Sequence, residues 1–113
     1  MKYAVLIYGG GGWAKVTDDE AKKIYAGHDT FAQKHGAELQ GGMELQGPQT
    51  AKSIRFRSDT ESVVTDGPFA ETNEVLGGFY LIEADDLDEA VEIAKDVPVL
   101  PGDVLEVRPS VQH

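Results

Sequence analysis

Cysteine is absent from this 113-residue chain. That excludes disulfides, thiolate nucleophiles and zinc-ribbon sites. No apolar run approaches the roughly 18 residues that a membrane-crossing helix needs. Positive charge is scarce: ten Lys and Arg stand against twenty Asp and Glu, a formal charge of −10. A field of that sign repels phosphate backbones and anionic lipid, and Arg55, Arg57 and Arg108 form no long basic run. Neither nucleic acid nor a membrane is an expected partner. There is no HExxH pair, no Ser-His-Asp order, and no glycine loop ending in GK before Ser or Thr. No metal and no cofactor is therefore expected.

The composition that remains is ordinary for one globular domain spanning residues 1–113, with 41% hydrophobic and 27% charged residues. The N-terminal MKYAVLIYGG carries one Lys and a short apolar run that is rich in β-formers. It reads as a first strand rather than a signal peptide. With no targeting segment and no cysteine, the cytoplasm is the expected location.

Residues 2–8 lack polar alternation, which predicts a central, buried strand ended by Gly9-Gly10-Gly11-Gly12. Thr17 and Glu20 have the spacing of a capping box, so a helix starts there. Ala21, Ile24, His28, Phe31 and His35 follow at spacings of three and four on one helical face, and Gly36 supplies the stop. Residues 37–46 read as a strand interrupted by Gly41-Gly42, and Gly47-Pro48 as a turn. Residues 52–57 alternate cleanly as a half-buried strand, with Val63 and Val64 on the return of a hairpin. Residues 75–84 make a longer strand containing Gly77-Gly78, which signals a bulge or a close backbone approach. A second helix starts at Asp86, presents Leu87, Ala90, Val91 and Ala94, and is closed by Pro98. Residues 103–108 give the last strand.

The order βαββ(β)βαβ predicts an α+β, ferredoxin-like antiparallel sheet with two helices on one face. The other face would carry apolar side chains with no cover. An uncovered apolar face buries itself against a partner, and the economical partner is a second copy in a homodimer.

Few residues carry candidate chemistry. His28, on the apolar helical face, suits a general acid or base; it reads equally as a core histidine with one hydrogen bond. His35, at the helix end, reads as a cap favoured by the helix dipole. Asp66 precedes Gly67-Pro68, which fix a sharp corner. Its carboxylate is either aimed at a site or held in an Asx-turn. Phe69 reads as an anchor for that corner or as part of a pocket. Trp13, after the glycine run, and Tyr80, beyond Gly78, are the other candidate pocket residues. Gly9, Gly11 and Ala14 fit a degenerate dinucleotide pattern, but the helix begins several residues too late for one.

Three stretches, TDGPFAET (65–72), LGGFYLIEADDLDEA (76–90) and EVRP (106–109), resemble the DGPF subgroup of the YCII-related proteins, as do the opening MKYAVLIYGG and YAGH..F (25–31). The resemblance covers nearly the whole chain. It implies a dimeric α+β barrel with pockets near the helix–sheet junctions. It also implies a catalytic His on the first helix partnered by an Asp, here His28 and Asp66. The function it implies is a cofactor-free enzyme acting on a small cyclic or aromatic-derived metabolite. The alternative it implies is a non-catalytic dimeric protein that binds a small molecule or regulates, linked to a sigma factor of the extracytoplasmic type.

Overall fold

The computed structural model describes residues 1–113. Its strands and helices are β1 (Lys2–Gly9), α1 (Asp18–Lys34), β2 (Leu39–Glu44), β3 (Lys52–Phe56), β4 (Ser62–Asp66), β5 (Val75–Glu83), α2 (Leu87–Ala94) and β6 (Val104–Pro109). Short 3-10 turns at Gly12–Lys15 and Pro48–Thr50 were not foreseen from sequence.

Four strands form an antiparallel sheet in the order β2-β5-β1-β6. Each helix crosses from one strand to a parallel strand one place away, with β5 between β1 and β2, and β1 between β5 and β6. This is the split βαβ plan of a ferredoxin-like α+β fold. The helices start where the caps predict. Thr17 Oγ1 accepts from the Glu20 amide at 3.2 Å, and Glu20 Oε1 accepts from the Thr17 amide at 3.5 Å. Asp86 Oδ1 accepts from the Glu89 amide at 2.8 Å.

Both helices cover the same face of the sheet. Tyr3, Val5 and Ile82 from the strands, Phe31 from α1, and Ala90, Ile93 and Ala94 from α2 form one core. Strand alternation sends the intervening side chains to the opposite face. There the register sets Ala4 opposite Leu81, Leu6 opposite Phe79, and Phe79 opposite Met43. Leu81, Met43 and Val104 are exposed, so this face is apolar and uncovered, as the element order predicts.

The glycines of β5 do both things their position suggests. Register slips between Ile7 and Tyr8, leaving Gly77 as the extra residue of a bulge. A Cβ at Gly78 would stand 2.8 Å from the Met43 carbonyl oxygen, so only glycine lets β2 lie this close.

One placement departs from expectation. β3 and β4 do not join the sheet; they pair only with each other. The strand expected to be half-buried exposes Ile54 at 58% and Phe56 at 77%. Alternation records that a strand has two different faces, but not what covers either one. Here the chain turns away from β2 at Gly47-Pro48 and leaves the sheet as a ribbon.

Candidate functional site

The N-terminal half of α1, the helix side of the sheet, the glycine-rich loop after β1 and the loop before β6 enclose a cavity of about 710 Å³. That volume is in the usual range of small-molecule sites, roughly 300–1,000 Å³. Its lining is mainly apolar, with Ile7, Ile24 and Leu100 among the walls.

His28 enters it because α1 turns one stripe toward the sheet. Its Nδ1 lies 2.7 Å from the Tyr80 hydroxyl oxygen. Tyr80 comes from the helix side of β5 and packs against Phe31, with ring centroids 4.9 Å apart. His28 Nε2 makes no hydrogen bond within the chain, and no buried side-chain polar atom lacks a partner. That nitrogen is therefore reached by solvent. Burial pushes the imidazole below the ordinary histidine range, partly opposed by the charges of Glu44 and Asp29. Burial, followed by Asp29 and Glu44, raises the Tyr80 phenol. At neutral pH the pair is thus a neutral imidazole against a neutral phenol.

A second polar pair stands beside the first. The Tyr25 hydroxyl reaches both carboxylate oxygens of Glu44, at 3.1 and 2.9 Å, and this hydrogen bond raises the phenol's pKa. Trp13 stands edge-on to Tyr25, with centroids 5.7 Å apart and planes at 90°. Asp103 ties the loops of the cavity rim together. Its Oδ2 accepts from the Leu100 amide at 3.0 Å and its Oδ1 from the Gly10 amide at 3.4 Å.

Of the residues singled out from sequence, the structure brings together His28, Tyr80 and Trp13. It does not bring Asp66 or Phe69 to the cavity of their own chain. Asp66 sits at the end of β4 with its side chain 88% exposed, in a 2.6 Å ion pair with Lys52. Phe69 is 73% exposed and does not anchor the corner with its ring; its backbone oxygen accepts from Arg55 at 2.7 Å. The cause is the departure of β3 and β4 from the sheet, which carries the whole Asp-Gly-Pro-Phe corner away. The corner itself has the special backbone that the sequence implies: Gly67 has φ 89°, a conformation that glycine adopts without strain. His35 does occupy the C-cap of α1, but it does more than face the dipole. It is buried, and its Nε2 meets Asp96 Oδ2 at 2.8 Å, tying the ends of the two helices together.

Sequence reasoning passed over Tyr25, Glu44 and Asp103. Tyr25 was within reach, since it lies three residues before His28 on the same helical surface. Glu44 becomes a site residue only through the pairing of β2 with β5, which leaves no local signal.

A helix-covered ferredoxin-like sheet with an apolar cavity and a few convergent polar groups between α1 and the sheet defines the class, a small α+β protein. The chain belongs to the YCII-related family: the sequence model of the YCII-related domain matches residues 1–112. An uncharacterized protein of Rhizobium meliloti (strain 1021) is 37% identical over 101 residues, covering 86% of this chain and 80% of the relative. Among solved structures, the chain is similar to the 5-chloro-2-hydroxyhydroquinone dehydrochlorinase (TftG) from Burkholderia phenoliruptrix AC1100, in complex with 2,5-dihydroxybenzoquinone. The TM-score is 0.47 at 15% identity, with 94% of this chain and 91% of that chain covered.

Proposed function

We propose that the chain is a cofactor-free acid–base catalyst acting on a small, uncharged cyclic compound. The observation that carries this reading is the 2.7 Å contact between His28 Nδ1 and the Tyr80 hydroxyl in a mainly apolar cavity. A depressed histidine pKa keeps the ring in its basic form at neutral pH. With the ring proton on Nδ1, that nitrogen donates to Tyr80, and Nε2 accepts a proton from a substrate hydroxyl or acidic C–H. The Tyr80 O–H is then free to donate to a substrate oxygen. In the other tautomer Tyr80 donates to Nδ1 and Nε2–H becomes the acid. One pair thus serves both directions of proton transfer.

The lining also selects by charge. It includes Glu44 and Asp103 but no Lys or Arg. A carboxylate or phosphate would meet repulsion without a counterion. A neutral ring bearing hydroxyl or carbonyl groups fits both the apolar walls and the few donors.

The test is a thermal-shift and Trp13-fluorescence screen of neutral cyclic compounds on the native protein, His28→Ala and Tyr80→Phe. The expected result is a compound that stabilises the native protein, quenches Trp13 and is converted by the native protein alone. A compound that binds native and His28→Ala alike and is recovered unchanged would leave a ligand-binding protein in place of an enzyme.

A further inference from the structure

We infer that Tyr25 and Glu44 form an acceptor-only subsite that orients a ring in the cavity: it holds a hydroxyl at one end and turns a carbonyl or ether oxygen toward His28 and Tyr80. The inference rests on the reading of the cavity as the site of an uncharged cyclic compound, and it names which end of that compound goes where.

The first ground is placement. Two hydrogen-bonded pairs join α1 to the sheet across the cavity, Tyr25 with Glu44 and His28 with Tyr80. Tyr25 and His28 are three residues apart on α1, which sets their Cβ atoms roughly 5–6 Å apart. On the sheet, Glu44 stands opposite Gly78, two residues before Tyr80 on the same face of β5. The Leu45 amide donates to the Gly77 carbonyl oxygen at 2.8 Å and holds that end of β2 in place. Gly42 stands opposite Tyr80, where a Cβ would meet Tyr80 Cδ1 at 2.9 Å. With glycine at 42 and 78, this patch of the floor carries only the side chains of Glu44 and Tyr80. Glu44 is near enough for its charge to act on both His28 and Tyr80. The spacing lets one small ring face both pairs at once.

The second ground is the supply of donors. The Tyr25 hydroxyl has one proton, and a carboxylate only accepts, so that proton points at Glu44. What the pair has left to offer is lone pairs on the Tyr25 oxygen and on the carboxylate. The His28–Tyr80 pair differs, because in either tautomer it keeps one donor and one acceptor free. A ring carbonyl or ether has no proton to give and meets only lone pairs and negative charge at Tyr25 and Glu44. A ring hydroxyl donates there. Tyr25 is 47% exposed, so the pair stands at the cavity mouth in contact with solvent. A hydrogen bond to a charged group, taken at the low end of its usual range, then gives about a tenfold preference.

Trp13 packs on Tyr25, so its fluorescence reports binding at this end. Titrations with 3-methoxyphenol and 1,3-dimethoxybenzene, which differ in a single O–H, test the inference. The native chain should bind the phenol about 10-fold more tightly than the diether. In Glu44→Gln, whose amide also donates, the ratio should fall to about 2-fold or less. Intermolecular nuclear Overhauser effects give a second readout on the native chain: the methoxy protons of 3-methoxyphenol should contact the Tyr80 ring and not the Tyr25 ring. The same ratio in native and variant, saturable binding of neither ring, or methoxy contacts to Tyr25 would each overturn it. Conversion plays no part in these readouts. A chain that shows the preference but converts nothing keeps the subsite and loses the proposed catalysis, and a chain that converts a ring without the preference does the reverse.

Discussion

His28 owes its chemistry to three influences acting in different ways. Burial lowers its pKa, the negative field of Glu44 and Asp29 pulls the other way, and Tyr80 fixes the ring. Glu44→Gln removes the charge with the larger of the two opposing effects on His28, so the His28 midpoint should fall further below the ordinary value in an NMR titration. The same substitution should bring the Tyr25 phenol back toward its ordinary value, since its hydrogen bond to Glu44 is the main cause of its rise. Asp66→Asn should leave the His28 curve where it is, because Asp66 lies outside the cavity and is neutralised by Lys52. An Asp66→Asn shift comparable to that of Glu44→Gln would put the two groups in one site, and the assembly rather than the single chain would have to account for it. The sequence displays His28 plainly, because helical spacing places it between Ile24 and Phe31. It hides Tyr80 as its partner, because that contact joins residues 52 positions apart.

The elements divide by how local their signals are. Thr17 with Glu20, and Asp86 with Glu89, are complete within four residues, so both helix starts were legible. The β3–β4 hairpin was legible as a hairpin but not as a ribbon separate from the sheet, since pairing between neighbouring strands is local and attachment to the sheet is not. The Gly67 corner carries the element's own test. With φ 89° and nothing within 4 Å of a Cβ built there, the obstacle to a side chain is backbone conformation alone. Gly67→Val should cost about 1–3 kcal/mol. Because the ribbon stands apart from the sheet, the loss should fall on it first. Amides of 52–56 and 62–66 should exchange faster in the variant, while those of β1 and β5 keep their native rates. Uniform acceleration across both would mean that ribbon and sheet unfold as one unit.

For the whole molecule, acid stability links the cavity to the fold. Burial lowers the pKa of His28 in the folded chain relative to its ordinary 6.5. Above that value both states hold the ring neutral, and its contribution to stability is fully present. As pH falls below 6.5, the unfolded chain takes up a proton that the folded chain still refuses, and stability drops until the lowered folded pKa is reached. Asp96 acts in the same direction at lower pH. Its carboxyl is held below the ordinary range by hydrogen bonds from His35 and Lys34, so its contribution is lost as pH falls from about its ordinary value through the lowered one. The acidic surface opposes both. Protonation relieves the self-repulsion of a chain at −10, so the native melting curve alone mixes these effects. Comparison with His28→Gln separates them, because the variant keeps the surface charge and loses only the titrating ring. The melting temperature of the native protein minus that of His28→Gln should be greatest at pH 7 and above and should shrink as pH drops through 6. A difference that stays flat from pH 7.5 to 5 would show that His28 titrates alike in the folded and unfolded chains, and burial would then not be what holds the imidazole in its basic form.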